Sequence, residues 1–138
     1  MKTRHVITAF LRRDGCILLV RRSEHVGTYQ GKWSGISGFL ETDPLQQAYT
    51  ELREETGVSP SDVTLASTAS PLEVPDRDRD TCWVVHPFLF DLAPDGKIAL
   101  DWENTEHRWT APEEVGALPT VPKLDAALQV CLHAEQER

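Results

Sequence analysis

The chain has 138 residues, which fits one domain, and its 40% hydrophobic and 26% charged residues are ordinary for a folded protein and exclude a disordered one. Acidic residues outnumber lysine and arginine by 22 to 14, for a net charge of −8, which argues against a general nucleic-acid binder because such proteins need a basic surface. A small phosphate ester bound through metal cations remains compatible with this charge.

The cysteines and the N-terminus indicate the compartment. Cys16, Cys82 and Cys131 are widely spaced, odd in number and form no CxxC pair, which is typical of reduced thiols in a cytoplasmic protein. The first residues lead into a strand-like run without a signal-peptide core, and no apolar run approaches the ~18 residues of a membrane span. The sequence therefore predicts a cytoplasmic protein without a membrane partner.

The first predicted elements form a β-hairpin. Residues 6–11 and 16–20 are apolar and rich in β-formers, and Asp14-Gly15 between them is a strong signal for a hairpin turn. The second run is almost continuously apolar, as expected of a strand that is covered on both faces. Residues 24–38 are rich in glycine and are predicted to be a loop with short extended pieces.

A helix is predicted from Pro44 to Thr56. Asp43 can cap its first turn, and Pro44 suits the first helical position. Gln46 completes a capping-box spacing, and Gly57 is a typical C-terminal stop. An apolar stripe at i, i+3, i+4 and i+7 is predicted to face the core and consists of Leu45, Ala48, Tyr49 and Leu52.

The second half of the chain is predicted to contain strands and a C-terminal helix. In chain order these elements are a strand at 63–72, a polar loop at 75–81, strands at 82–92 and 98–102, a helical turn at 111–115 and a helix at 121–135. The order of hairpin, helix, strands and terminal helix predicts an α/β fold in which a mixed β-sheet lies between helices. We expect a single domain that covers residues 1–138.

Three glutamates on the predicted helix carry the first functional signal. Glu51, Glu54 and Glu55 stand at i, i+3 and i+4, which places their carboxylates on one helix face. Like charges at this spacing cost roughly 0.2–0.5 kcal/mol per pair, and the helix dipole disfavours anions in this C-terminal half. Arg53 is not at i±3 or i±4 from any of them. The face is either a solvated surface or a site for a hard cation such as Mg²⁺, which takes oxygen ligands.

The same segment resembles the signature of a known family. The Nudix box reads G-x5-E-x7-R-E-U-x-E-E-x-G-U, in which U is a bulky aliphatic residue, and residues 51–58 match its E-U-x-E-E-x-G-U half in full. Gly38 resembles the opening glycine. The predicted order of elements is also similar to the α/β/α sandwich of the Nudix hydrolase superfamily, so the resemblance covers nearly the whole chain. Residues 33–41 and 101–103 further resemble divergent Nudix modules, some of which are fused to initiation-factor-2B-like domains.

The first half of the box departs from the family pattern. Thr50 stands where the box has its arginine, and Thr42 stands where it has its first glutamate. Gly38 and Thr50 are 12 positions apart where the pattern has 14, so the loop before the helix is two residues shorter. In the family, that glutamate and arginine help to order the loop and the catalytic helix. Their joint absence indicates a rebuilt loop, in which Glu41 is expected to take over part of the lost role.

The resemblance implies a metal cofactor and its ligands. Glu51, Glu54 and Glu55 would coordinate Mg²⁺, for which Mn²⁺ is the expected substitute, and the Gly38 carbonyl would be a further ligand. Family members commonly add an acidic residue from outside the box, and Glu103 is the first choice for that ligand in this chain.

The resemblance also implies a carboxylate that takes the proton of the attacking water. The position of this base varies in the family, so the candidates are Glu51, Glu54, Glu103 and Glu106. The alternative is that Glu103 and Glu106 are ordinary surface residues without a catalytic role.

Several charged and aromatic side chains are candidates for substrate binding. Glu41, Arg21 and Trp33 are the candidates, which offer a carboxylate in the loop before the helix, a phosphate clamp and a stacking ring. Further phosphate clamps would be Arg22, Lys32 and Arg108, and further stacking rings would be Tyr29 and Phe39. Each is otherwise a surface charge or a packing residue.

The resemblance implies Mg²⁺-dependent hydrolysis of a nucleoside diphosphate linked to another moiety. The alternative is a non-catalytic Nudix-fold module that binds a nucleotide or regulates through it. The intact glutamates favour the enzyme, and the altered first half of the box favours the module. An isopentenyl-diphosphate-isomerase-like activity would require Cys and His/Glu ligands that the sequence does not assemble. The expected partner is a small nucleoside diphosphate derivative rather than nucleic acid, and homodimers are common in the family.

Overall fold

A two-residue turn joins the first two strands. Asp14 and Gly15 both have positive φ, 53° and 78°, which is the backbone that a type I′ hairpin turn requires. Strand β1 (Lys2–Arg13) therefore folds back on strand β2 (Cys16–Arg22). The predicted hairpin is confirmed. Strand β1 extends beyond its apolar run because its polar ends pair with a strand later in the chain.

The computed structural model describes residues 1–137, whose eight strands form one sheet. Strand β1 is parallel to β7 and antiparallel to β2 and β4. Strands β3 and β8 pair with β2, and β5 and β6 pair with β7, all antiparallel. The sheet is thus mixed, as predicted. The remaining strands are β3 (Trp33–Ser34), β4 (Ile36–Phe39), β5 (Val63–Thr68), β6 (Leu72–Asp76), β7 (Thr81–Leu92) and β8 (Asn104–Thr110).

Two helices cover the two faces of the sheet. Helix α1 (Pro44–Thr56) packs on the face that carries Ile7 and Leu11, and helix α2 (Leu124–Gln136) packs on the face that carries Phe10. Alternate residues of β1 therefore enter opposite cores, as the pleat requires. In α1 the predicted stripe faces the core, with Ala48 and Leu52 fully buried. The short 3₁₀ helices are Pro60–Asp62, Arg77–Arg79 and Pro112–Ala117, the last at the predicted helical turn.

The predicted strand at 63–72 is two strands in the structure. Strand β5 ends at Thr68 and β6 begins at Leu72, and residues 69–71 between them form no regular element. The two strands pair with different halves of β7. The predicted polar loop at 75–81 is correspondingly shorter, since its first two residues belong to β6.

The predicted strand at 98–102 was wrong. These residues form no regular element, and Ile98 and Leu100 pack, partly buried, against the α1 side of the core. The strand that pairs with β2 is instead β8, which was not predicted from the sequence. Strand β8 is polar, and pairing with β2 rather than apolar content makes it a strand.

The C-terminal helix begins three residues later than predicted. Lys123 has a φ of 63°, outside the helical region, so the helix starts at Leu124 instead of residue 121. Its core face is buried and consists of Leu124, Ala127, Leu128 and Cys131. Within residues 1–137, no helix is long and apolar enough to cross a membrane.

Candidate functional site

Helix α1 is fixed at both ends, which sets the direction of its acidic face. The Asp43 side chain accepts a hydrogen bond from the Gln46 N–H group at 3.3 Å, and Gly57, with a φ of 77°, donates to the Arg53 carbonyl at 2.9 Å. The predicted cap and stop are therefore both confirmed. Glu51 and Glu54 line a cavity of about 490 Å³ between the helix and neighbouring loops.

Glu51 lies directly over strand β4. A Cβ atom at Gly38 would be 2.1 Å from Glu51 Oε1, so only glycine leaves room for the carboxylate at this point of the sheet. This is a close approach of side chain to backbone, and it explains the glycine of the box in this chain. The predicted ligand pair of Gly38 and Glu51 is thus brought together.

Glu55 lies behind Glu51 and is buried, with 3% of its surface exposed. Asn104 Nδ2 donates to Glu55 Oε1 at 3.2 Å, but no protein donor within residues 1–137 reaches Glu55 Oε2. The Glu51 and Glu55 carboxyl groups face each other, and when Glu55 is protonated it can donate to Glu51. Two carboxyl groups in contact require a proton or a cation between them.

Burial raises the pKa of the Glu55 carboxyl well above its usual range, and the charge of Glu103 adds to the shift. The pKa of Glu51 is also raised, mainly by burial. Both shifts favour a proton shared by the two carboxyl groups when no metal is bound.

Glu103 faces the same cavity from the segment before β8. Its N–H group donates to Asp101 Oδ1 at 3.1 Å, and its carbonyl accepts from the Ser23 N–H group at 2.8 Å. Burial raises the pKa of the Glu103 carboxyl, and Asp101 adds to the rise. The structure thus brings the first-choice acidic residue from outside the box to the helix glutamates.

Arg22 is a basic side chain that interacts electrostatically with Glu55 and Glu103 of this acidic group. Burial lowers the pKa of its guanidinium, an effect that attraction to Glu55 and Glu103 opposes. Its Nε donates to the Thr28 carbonyl at 2.8 Å, so the side chain is held by the loop after β2. Arg22 lines the cavity and is placed to meet an anionic substrate.

The cavity beyond the glutamates has an aromatic wall. Tyr29 and Phe39, two of the predicted stacking residues, line it together with Trp83 and Trp102. Phe39 and Trp102 remain 50% and 64% exposed, and the Arg4 guanidinium lies over the Phe39 ring, 5.4 Å from its centre. Glu41 also lines the cavity, at the start of the loop before α1.

Tyr29 connects the loop at 24–32 to the segment at 76–79 beside this wall. Its hydroxyl donates to Asp76 at the end of β6 and accepts from Trp83 Nε1, the latter at 3.0 Å. The Arg79 guanidinium lies over the Tyr29 ring, 4.2 Å from its centre, and also donates to Asp76 Oδ2 at 2.9 Å. The loop at 24–32 is therefore closed against the segment at 76–79.

Several predicted site residues lie away from the cavity. Arg21 and Glu106 are cross-strand partners on β2 and β8 and form a half-exposed ion pair at 2.7 Å. Trp33 packs against the α2 side of the core, with Arg108 over its ring. The roles predicted for Arg21, Trp33 and Glu106 therefore have no support in this geometry, because alternate residues of these strands point away from the site.

Two residues that the sequence analysis missed hold the glutamates in place. Asn104 donates to Glu55, and Gln47 Nε2 donates to Glu51 Oε1 at 3.2 Å. Gln47 is four residues before Glu51, a spacing that places both on one helix face and could have indicated the contact. Asn104 had no such signal, because its contact joins residues 49 positions apart.

Comparison with known proteins identifies the class. The family model of the NUDIX domain matches residues 1–130, and the chain belongs to this family. It is 29% identical, over 121 residues and 86% of its length, to the "Putative 8-oxo-dGTP diphosphatase 3" of Mycobacterium tuberculosis. That alignment covers 55% of the relative, so the chain spans about half the length of the curated relatives it matches.

Solved structures agree with this assignment. The solution structure of the E. coli ORF135 protein is 26% identical to this chain and has a TM-score of 0.72. The alignment covers 100% of this chain and 94% of that one. A Nudix hydrolase from M. smegmatis, RenU, is 24% identical, with a TM-score of 0.74 over 94% and 84% of the two chains. The predicted α/β/α sandwich of the Nudix type is confirmed.

Nudix hydrolases generally use a divalent metal, and the residues present fit one. Within residues 1–137, no three His, Cys, Asp or Glu side chains are already gathered closely enough to enclose an ion. The fit rests on Glu55 Oε2, a buried oxygen without a protein donor that lies against a second carboxyl group. Oxygen ligands, with waters and phosphate oxygens in the remaining positions, are what Mg²⁺ takes in proteins.

Replacing Glu55 with Gln should stabilise the metal-free protein. The pKa of Glu55 is raised, so wild-type stability is full below the usual carboxyl range and falls as pH rises towards the folded-state pKa. We expect Glu55→Gln in EDTA at pH 8 to unfold with a free energy about 1–3 kcal/mol higher than wild type, and the difference to vanish near pH 4. Denaturant unfolding at both pH values measures this. Equal unfolding free energies of wild type and Glu55→Gln at pH 8 would show that burial of Glu55 does not destabilise the metal-free protein.

Replacing Gly38 with Ala should displace Glu51 without unfolding the protein. The new Cβ would meet the end of a flexible side chain, which can rotate away. We expect a melting temperature within a few degrees of wild type and a loss of Mg²⁺ affinity of about 10-fold or more. Thermal unfolding and calorimetric titration measure the two effects. Unchanged Mg²⁺ affinity would remove Gly38 and Glu51 from the site.

Replacing Tyr29 with Phe should open the loop at 24–32. The variant keeps the ring and loses the hydrogen bonds to Asp76 and Trp83, so we expect a destabilisation of about 1–2 kcal/mol. Tyr49→Phe is the matched control, because within residues 1–137 the structure assigns the Tyr49 hydroxyl no hydrogen bond and its ring packs edge-on against Phe90. Equal unfolding free energies of the two variants in urea would contradict this role.

Proposed function

We propose that the protein is a Mg²⁺-dependent hydrolase of a nucleoside diphosphate linked to another moiety. The observation that carries the proposal is the contact between the Glu51 carboxyl group, which lines the cavity, and the buried Glu55 carboxyl group behind it. Burial and like charge both oppose two ionised carboxyl groups in contact, and a bound cation would neutralise them. The 29% identity to a protein named as a diphosphatase supports the same reaction class.

The ion would be held by Glu51, Glu54 and Glu55, with the Gly38 carbonyl beside them. When bound, it supplies charge neutralisation for phosphate oxygens and acidifies a water molecule. Mg²⁺ is proposed as the ion and Mn²⁺ as its substitute, because hard oxygen ligands suit both.

Glu103 is proposed as the base. It faces the cavity, and its raised pKa brings it closer to neutrality, where a general base works best. The water proton passes to the Glu103 carboxylate, the water oxygen forms a bond to one phosphorus, and the bridging P–O bond breaks. The products are two monophosphate species. Glu106 is not retained as a base, because it is paired with Arg21 outside the cavity.

The cavity supports a nucleotide-sized substrate. Its volume of about 490 Å³ lies in the range of ligand sites, and its aromatic wall offers stacking surfaces for a base. Arg22 would meet the phosphates, and Trp102 and Phe39 would flank the remaining moiety. Oxidised purine nucleotides belong in the substrate panel because the curated relative is named for 8-oxo-dGTP.

A cytoplasmic location is part of the proposal, and the three free thiols of Cys16, Cys82 and Cys131 support it. Nucleic acid is not proposed as a partner, given the net charge of −8. The single domain, the homodimer and the resemblance to modules fused with initiation-factor-2B-like domains stay predictions.

The second candidate function is a Nudix-fold module that binds a nucleotide without cleaving it. The observation that favours it is the replacement of the box arginine and first glutamate by Thr50 and Thr42. The two candidates differ in turnover and not in ligand binding, so a kinetic assay separates them.

Turnover of a panel of nucleoside diphosphate derivatives tests the proposal. We expect phosphate-ester products with Mg²⁺ and none with EDTA, and Glu54→Gln should lower kcat/KM about 100-fold or more. Glu114→Gln is the control, an exposed glutamate on the 3₁₀ helix before α2. Metal-dependent nucleotide binding without turnover of any compound would overturn the hydrolase in favour of the binding module.

A further inference from the structure

Gln47 connects the loop before α1 to the acidic face of the helix. Its side chain is buried, with 4% of the residue exposed, although it is polar. Its Oε1 atom accepts a hydrogen bond from the Glu41 N–H group at 3.0 Å, and its Nε2 atom donates to Glu51 Oε1 at 3.2 Å. One amide thus holds both the loop backbone and a carboxylate of the site.

The loop has few other attachments. It spans residues 40–43 between β4 and α1, and the Leu40 N–H group donates to the His5 carbonyl at its start. At its end, the Asp43 side chain caps the helix. Between these points, the Glu41–Gln47 hydrogen bond fixes the middle of the loop.

This chain lacks the two side chains that order the loop in the family pattern. Thr42 and Thr50 stand in their places, and neither can form the charged pair that a glutamate and an arginine would form. We propose that Gln47 is a positioning residue that replaces this pair by holding the shortened loop and Glu51 together. The proposal rests on the proposed function in so far as Glu51 is a metal ligand.

An amide suits this position for a physical reason. It offers a donor and an acceptor at once, so it satisfies the Glu41 N–H group and the Glu51 carboxylate without adding charge beside Glu55. Glu51 is also confined on its other side by the close approach to Gly38. The carboxylate therefore lies between Gly38 and the Gln47 amide, where it lines the cavity.

Two variants separate the contacts of Gln47. Gln47→Leu keeps the size and removes both hydrogen bonds, whereas Gln47→Glu keeps an acceptor for the Glu41 N–H group and loses the donor to Glu51. Gln46→Leu is the matched control, since Gln46 is the exposed neighbour on the same helix and its capping contact is made by its backbone.

Amide hydrogen exchange and metal titration are measured on the full chain of each variant. In EDTA, we expect exchange of the Glu41 N–H group to become about 10-fold faster or more in Gln47→Leu and to stay near wild type in Gln47→Glu and Gln46→Leu. Calorimetric titration with Mg²⁺ should show an affinity 10- to 100-fold lower in both Gln47 variants and unchanged in Gln46→Leu. If Gln47→Leu does not fold, Gln47→Glu still tests the proposal, because exchange of its Glu41 N–H group should stay near wild type while its Mg²⁺ affinity falls.

The proposal is overturned by either of two results. One is Glu41 exchange in Gln47→Leu as slow as in the control, which would show that the loop is ordered without Gln47. The other is Mg²⁺ affinity of Gln47→Glu equal to wild type, which would show that the contact with Glu51 does not position a ligand. If wild type itself binds no Mg²⁺, the proposed function fails, and the exchange result alone still accepts or rejects Gln47 as the residue that orders the loop.

Discussion

The contact between the Glu51 and Glu55 carboxyl groups is the constraint around which the site is arranged. Burial opposes the charge on each group, and the charge of Glu51 further opposes ionisation of Glu55. A core built for stability alone would avoid both costs, since apolar side chains of similar volume would fill the space without them. The protein tolerates the contact because the rest of the fold supplies the stability, which is the usual relation between a functional site and its scaffold.

Residues of the sheet and of helix α1 itself limit how the carboxylates can move. Gly38 on β4 leaves room for Glu51, and Asn104 at the start of β8 holds one oxygen of Glu55. Gln47 holds Glu51 from its own helix. Asn104 is distant in sequence from Gly38 and Gln47, so the geometry of the site depends on the strand pairing that brings β8 to the helix glutamates. Preorganised ligands of this type lower the cost of arranging a site when the ion and substrate bind.

Local signals made helix α1 predictable to the residue. Its cap, its first proline, its apolar stripe and its glycine stop lie within or next to the helix, and each acts over one turn of chain. The Glu51, Glu54 and Glu55 cluster was predictable for the same reason. The strand from Asn104 to Thr110 was not, because it is polar and owes its conformation to pairing with β2.

Long-range contacts account for what the sequence could not indicate in the site. Arg21 and Trp33 have suitable chemistry and lie near the box in sequence, but their places on β2 and β3 direct them away from the cavity. Trp83 was overlooked because nothing near it in sequence marks it as a site residue, and Asn104 because only the carboxylates beside it, Glu103 and Glu106, were considered. Which residues share a cavity is decided by strand register and loop closure, and one residue of register reverses the side of every side chain.

The proton balance of metal binding tests the central claim most directly. Titration of Mg²⁺ into the protein at pH 7, in two buffers of different ionisation enthalpy, measures the protons released for each ion bound. If the ion replaces the proton that Glu51 and Glu55 share, about one proton should be released per ion. Binding without proton release would show that the ion lies elsewhere, and no binding in the millimolar range would contradict a metal site at these glutamates.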